Sequence, residues 1–323
     1  MTERPAHAKS FAYGHPTPGM APGDVFDVEQ CTDISYVDTG MYDTGEYGSV
    51  YVVDADRPAI VDTGIGTNYE RVLAALDECG IAPADLEAIL VTHVHLDHAG
   101  GAGFLAEECP NADIYVHEIG ARHLVDPSRL VEGTKEAVGD QWQYYVEPEP
   151  VPEDRIVELE DGDTVDLGSR ELTAHHAPGH APHQVVFEDH ADDALFTADA
   201  AGIWVPEQDR VRETSPPPNF DLEQCVTDAE LIRRLDPDVL LYAHFGPGPD
   251  DVDAVLRQYE QVLREWVETV EREVVERGSE EAAIDHLAST NEVWQVWGDH
   301  KARAETRMNV RGVLHYLKTR ETH

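Results

Sequence analysis

The sequence predicts a layered α/β protein, and three observations carry that reading. Short runs rich in Val, Ile and aromatic residues, closed by Gly, Pro or Asp, recur through roughly the first 250 residues, which is how strands punctuated by turns read. Segments with helical spacing lie between them. The apolar run Ala88-Ile89-Leu90-Val91 ends directly in Thr92-His93-Val94-His95-Leu96-Asp97-His98. Ligand-type side chains therefore gather at the carboxyl end of a strand, where sites of layered α/β proteins form.

Taken in order, residues 1–24 are rich in Pro, Gly and Ala and read as a loose leader. Runs at 34–37, 49–53 and 59–61 follow as an antiparallel meander. Residues 68–79 repeat Val72, Leu73, Leu76 and Cys79 at helical spacing, with Gly80 as the stop. A strand at 89–92, the histidine-rich loop, a helix over 99–108, a strand at 114–116 and a short helix at 119–124 come next. Residues 126–155 carry prolines, acids, Trp142, Tyr144 and Tyr145, and read as an insertion lying over something else. Runs at 155–159, 164–167, 172–175, 184–187, 194–197 and 239–243 read as a second set of strands, with a helix at 222–235. From Asp251 the pattern is helical: 252–270 holds one apolar stripe, and 279–289 and 302–319 continue it. The expected organisation is a catalytic domain at 25–250 and a helical extension at 251–323. The stripe of that extension could cap the chain's own core or that of a second copy in a homodimer.

The 323 residues, 41% hydrophobic, suffice for one large domain with an appendage or for two domains. No apolar run reaches bilayer length and the first ten residues are polar. The expectation is a cytoplasmic protein with no membrane span and no signal peptide. Lys plus Arg number 23 against 65 Asp plus Glu, a net charge of −42. The acids are spread along the whole chain, whereas a surface for a cationic partner would be local. The reading is a surface adapted to a salt-rich cytoplasm, as in a halophile. Nucleic acid is not an expected partner, because a phosphate backbone needs a basic stripe. Cys31, Cys79, Cys109 and Cys225 are far apart and form no Cys-x-x-Cys, so they read as reduced and structural.

The His93-x-His95 spacing puts two imidazoles on one side of an extended backbone, and Asp97 and His98 follow where the chain turns into helix. One ion needs three or four protein ligands, so four candidates in one loop suggest two ions side by side. Three more candidates each follow a strand end: His180 in Ala177-Pro178-Gly179-His180, Asp199 after Leu195-Phe196-Thr197-Ala198, and His244 after Leu240-Leu241-Tyr242-Ala243.

With these motifs the chain resembles the metallo-β-lactamase superfamily over residues 30–248. The likeness rests on Thr92-His-Val-His-Leu-Asp-His98, Val61-Asp-Thr-Gly64, Pro178-Gly-His180, Asp199 and His244, in the family's order. It implies an αββα sandwich of two mixed sheets with metals at one edge. It implies that His93, His95 and His180 hold one metal, that Asp97, His98 and His244 hold the second, and that Asp199 bridges them. Ala198 stands where the family often has Gly. His95, where the flavodiiron branch has Glu, favours hydrolysis over oxygen reduction. Imidazoles with two carboxylates suit two Zn²⁺ ions, with Fe or Mn compatible. Such a pair shares a hydroxide for attack on a carbonyl or phosphoryl centre, and Asp97 could take its proton and pass it to the leaving atom.

Asp62 reads as a residue that hydrogen-bonds the metal loop and orients a histidine. His183 is evenly balanced between a supporting role and a plain loop position. His175 and His176 read as strand-end residues, His117 and His123 as non-functional. The Pro-rich run at 214–221 reads as a pocket wall or a linker, with Trp142, Tyr144, Tyr145, Trp204 and Phe220 as aromatic wall candidates. The run at 214–221, with Val125-Asp-Pro-Ser-Arg-Leu130 and Pro150-Val-Pro-Glu-Asp-Arg155, looks like uncharacterised archaeal and bacterial hydrolases of the superfamily. The leading function is a dinuclear hydrolase of a small-molecule ester, thioester or lactone, in the manner of glyoxalase II-like thioesterases. The alternatives are a phosphodiesterase, a mononuclear iron persulfide dioxygenase, and a non-catalytic binding protein on a decayed site.

Overall fold

The structure, a computed structural model, describes residues 21–320; most of the expected leader lies outside them. Strands β1 (Val25–Asp27), β2 (Ile34–Asp38), β3 (Ser49–Val53) and β4 (Ala59–Val61) form the antiparallel meander. Helix α1 (Tyr69–Glu78) then leads to β5 (Ala88–Leu90), which pairs parallel with β4. After two short helices, α2 (Leu96–Ala99) and α3 (Ala102–Glu108), β6 (Asp113–His117) extends the sheet in parallel. The crossover α4 (Glu118–Val125) and α5 (Ser128–Val138) brings in β7 (Ile156–Leu159), parallel to β6, as the seventh strand.

The second sheet holds six strands in the order β15-β14-β11-β10-β9-β8. These are β8 (Thr164–Asp166), β9 (Glu171–His176), β10 (Val185–Asp189), β11 (Ala194–Ala198), β14 (Val239–Tyr242) and β15 (Gly246–Pro247). A separate hairpin, β12 (Ile203–Val205) and β13 (Arg210–Arg212), and helix α6 (Leu222–Leu235) lie between β11 and β14. Three long helices end the chain: α7 (Val252–Arg277), α8 (Glu280–Thr290) and α9 (Trp294–Arg320).

Side chains alternate faces along a strand, and here both faces are buried. Val50 and Val52 of β3, Ile60 and Ile89 face the helices α1 and α3, while Tyr51, Val53, Val61 and Leu90 face the other sheet. In the second sheet Phe187, Phe196 and Leu241 meet that inter-sheet layer, whereas Val186, Leu195, Leu240 and Tyr242 face α6, α7 and α9. Three apolar layers between four structural ones make the αββα sandwich of two mixed sheets that the motifs implied. Val255, Leu256, Tyr259, Leu263, Val310 and Val313 of the C-terminal helices share the third layer, so the late apolar stripe covers this chain's own second sheet. Among the described residues no helix is long and apolar enough to cross a membrane, and all four cysteines are free.

Some elements differ from the expectation. The run at 155–159 belongs to the first sheet, as an edge strand half-exposed at Ile156 and Val157. Its apolar pattern cannot say which sheet it joins; the α4–α5 crossover decides. Residues 128–138 form helix rather than loose insertion, and none of α5 is fully buried, which weakens its apolar signal. The hairpin β12–β13 was not anticipated. The helix expected from 99 begins at Leu96 and breaks at Gly100-Gly101. A Cβ on Gly100 would lie 2.3 Å from the Leu96 carbonyl oxygen, and one on Gly101 2.5 Å from that of Thr63. The glycine pair thus lets the Asp62-Thr63-Gly64 turn press against the histidine loop.

Candidate metal centre

The seven predicted ligand residues come together at the ends of β5, β9, β11 and β14. His95 Nδ1 lies 3.1 Å from His93 Nε2 and 3.0 Å from His180 Nε2. Asp199 reaches both ways. Its Oδ2 is 3.2 Å from His180 Nε2, and its Oδ1 is 3.5 Å from both His98 Nε2 and His244 Nε2. Asp97 Oδ2 closes the far side, 4.0 Å from His98 and 3.9 Å from His244. His93, His95 and His180 form one group able to hold a cation, and Asp97, His98 and His244 another; His93 and His98 also form one with Asp199.

Four of the five inward nitrogens, those of His93, His98, His180 and His244, are aimed by what the ring's other nitrogen touches, the usual way a ligand imidazole is oriented. Asp62 is the main anchor. Its carboxylate accepts from the backbone N–H and hydroxyl of Thr92, at 2.9 and 2.8 Å, and from His98 Nδ1 at 2.9 Å. This is the orienting role its motif suggested. His93 Nδ1 meets the Thr92 hydroxyl, His244 Nδ1 donates to the Tyr47 carbonyl at 2.9 Å, and His180 Nδ1 meets the Thr214 hydroxyl. The Asp228 carboxylate accepts from the Gly179 N–H and fixes the turn before His180. Ala198 takes φ 48 to present Asp199, a left-handed conformation costing about 1–2 kcal/mol for a residue with a Cβ.

The donor set fits divalent cations. His98 Nε2 and Asp199 Oδ1 are buried with no hydrogen-bond partner among the described residues, and such orphans call for an ion or water. Burial and the neighbouring imidazoles push His93 and His180 well below the usual histidine range, and burial takes His95 to about 4. All three are thus held neutral, the form that ligates. His98 goes the other way. Burial lowers it, but Asp199 and Asp62 outweigh burial and raise it to about 10. The carboxylates demand positive charge at that nitrogen, which a cation can supply in place of a proton. Burial raises Asp97, yet His98 and His244 outweigh it and hold this carboxyl below its usual range.

Above the centre is a cavity with an empty volume of about 990 Å³, open solvent at its mouth included. Tyr145 lines it as expected, and so do His183 and the Pro216–Pro218 wall. Four of the expected aromatics do not. Trp204 and Phe220 are buried in the core beneath the second sheet, because their rings find apolar neighbours there. Trp142 stacks behind Tyr145 at 5.2 Å, and Tyr144 packs on Tyr42. His123, read as non-functional, does line the cavity. His117 and His176 stack on each other at 4.3 Å outside it.

The sequence reading missed a wall built by Tyr42, Tyr47 and α9. Tyr42 Oη is 2.5 Å from Tyr145 Oη. Lys301, buried, places Nζ 3.7 Å from the Tyr42 ring centre and 4.2 Å from that of Tyr47. It pairs with buried Glu305 at 2.7 Å, which also accepts from the Tyr47 hydroxyl and from Asn309. A buried pair is costly to break because its partner is left uncompensated. Lys301→Met should therefore lose about 3–5 kcal/mol in urea unfolding, and Lys301→Met/Glu305→Met should recover much of it. Equal losses in the single and double variants would contradict the pairing.

An αββα sandwich with a histidine–aspartate centre at the strand ends defines a class of metal-site proteins. Residues 43–244 match the family model of the metallo-beta-lactamase superfamily, and the chain belongs to that superfamily. It is 26% identical over 221 residues to the metallo-beta-lactamase fold-containing protein ST1585 of Sulfurisphaera tokodaii, covering 67% of this chain and 79% of that one. The crystal structure of ST1585 superposes with a TM-score of 0.66 at 22% identity, over 88% of this chain and 99% of that one. Rm3 metallo-beta-lactamase superposes at 0.55 and 19% identity, over 75% and 92%. The chicken acyl-coenzyme A thioesterase MBLAC2 is 28% identical over 187 residues, and the match covers 51% of this chain and 62% of that enzyme. The matched region therefore spans less than two thirds of that thioesterase.

Proposed function

We propose that the protein is a metal-dependent hydrolase of a small ester or thioester, holding two divalent cations, with Zn²⁺ the best fit to the ligand set. The observation that carries this reading is the orphaned pair His98 Nε2 and Asp199 Oδ1, buried between two ligand groups below an open cavity. When bound, two such cations supply Lewis acidity and lower the pKa of water between them. His93, His95 and His180 would hold one, Asp97, His98 and His244 the other, and Asp199 would face both. The Asp97 carboxylate, held ionised, can accept a proton and return it to the leaving atom. The tyrosine pair offers a donor. One phenol donates to the other, which leaves the acceptor's own proton free for a substrate oxygen.

Similarity to an acyl-coenzyme A thioesterase supports thioesters over phosphodiesters. The acidic composition also argues against a nucleic-acid substrate. Metal analysis together with a panel of thioesters, lactones and phosphodiesters tests the proposal. About two zinc ions per chain and turnover of a thioester are expected. One iron per chain with oxygen uptake would assign it instead to persulfide dioxygenation, and turnover of phosphodiesters alone would overturn the substrate class.

A further inference from the structure

Beside the cavity over the metal centre lies a second one. The two share Gly133, Ala137, Pro217 and Pro218 as lining, so they adjoin at these residues, and the second runs outward between α5 and the C-terminal helices. The inner stretch passes Leu130, Val138 and Met308, and the outer one Ile284 and Leu314. The floor is Pro216–Pro218, which has no backbone N–H to donate. That floor is held to α9: Asn309 accepts from the Ser215 N–H at 2.7 Å, and Ser215 Oγ donates back to the Asn309 carbonyl. Gly312 is needed there, since a Cβ on it would lie 1.8 Å from the Ser215 carbonyl oxygen. Charged side chains line both stretches: Arg129 and Glu305 along the inner one, and Arg311, Lys318, Glu136, Glu280 and Glu281 along the outer one.

Gly133 is the telling residue. It sits inside α5, where glycine is one of the poorest helix formers. No turn, positive φ or close neighbour requires it, for a Cβ there would meet nothing within 4 Å. Its missing side chain leaves space at the joint between the two cavities, on the helix face it shares with Leu130 and Ala137.

We propose that this channel holds an unbranched apolar acyl chain, with its carbonyl at the metal centre, and that Gly133 sets how long a chain is accepted. The proposal rests on the hydrolase reading and adds the substrate class: a straight-chain acyl thioester. Hydrolysis breaks the acyl C–S bond. Water gives its oxygen to the acyl carbon, one proton to the sulfur and the other to solvent, releasing a fatty carboxylate and a thiol. The side of the passage formed by Leu130, Val138, Met308 and the prolines offers methylenes an apolar surface.

The test compares acetyl-, hexanoyl- and decanoyl-N-acetylcysteamine with zinc-loaded wild type, Gly133→Ala and Gly133→Phe. Each methylene seated in the channel should raise wild-type kcat/KM by up to about fourfold. Gly133→Phe should lower the decanoyl-to-acetyl ratio of kcat/KM at least about tenfold, and Gly133→Ala should lower it less. Circular dichroism and zinc content identify a variant that has misfolded. Calorimetric binding of decanoate gives a second readout, which needs no turnover. Wild type should bind it and Gly133→Phe should not. If no thioester is turned over but this binding difference holds, the hydrolase reading fails and the channel stands. An unchanged ratio together with equal decanoate binding in wild type and Gly133→Phe would overturn the channel.

Discussion

Asp199→Ala should abolish turnover and strip the centre of metal, and its cost in stability should grow with metal loading. Asp199 is the one carboxylate that faces both halves of the site, with Oδ2 toward His180 and Oδ1 toward His98 and His244. Residues that merely support metal ligands already cost about 10–100-fold in affinity or activity when replaced. Loss of the shared carboxylate should cost more than about a hundredfold in kcat/KM. Without metal, burial raises the Asp199 carboxyl above its usual range despite His98 and His244. A carboxyl raised by folding is most favourable protonated, and its contribution falls as pH rises through the folded value. At neutral pH that cost is set against the support Asp199 gives His98, which it raises, so Asp199→Ala should shift the metal-free melting temperature little. In the loaded protein the loss should be larger, because a cation that binds only the folded form stabilises it by mass action. Zinc should raise the wild-type melting temperature far more than that of Asp199→Ala. Full activity with full metal content in the variant would contradict the role given to this residue.

The cluster was legible because each candidate ligand is announced locally. His93 and His95 follow an apolar strand at period two, and His180, Asp199 and His244 each stand just beyond a strand end. What supports them was legible only in part. Asp62 could be read because its turn lies one strand away from the loop it anchors. Lys301 and Glu305 could not, since about 200 residues separate them from the histidine loop and they sit on a helix whose pattern speaks only of core packing. The sheet of β7 was misread for a related reason: an apolar run states its period but not its partner. Trp204 and Phe220 were placed in the wall because aromatics suit pockets, yet the same rings suit a core, and here the core under β11 and β14 took them.

Dialysis into dilute buffer should lower the melting temperature by about 10–20 °C relative to molar KCl, several kcal/mol for a domain of this size. If each of the 23 basic side chains took one acid, 42 of the 65 acids would still have no partner. These acids are spread over the chain, so the repulsion acts across the whole surface. At 0.01 M salt charges feel one another over about 30 Å, and at 1 M over about 3 Å, so salt removes most of that repulsion. Glu46 shows the local form. Burial and the nearby Glu207 carboxylate raise it to about 7. Its folded value lies above the unfolded one, so the folded state binds the extra proton between about 4.5 and 7. Stability from this pair should therefore fall as pH rises through that window, and Glu207→Gln should flatten the slope in low salt more than in high salt. Screening also differs from specific cation binding in what it predicts. Sodium and potassium chloride at equal ionic strength should protect alike, whereas a bound ion would favour one of them. A melting curve and circular dichroism spectrum that do not change on dialysis would show that the excess charge is carried without cost.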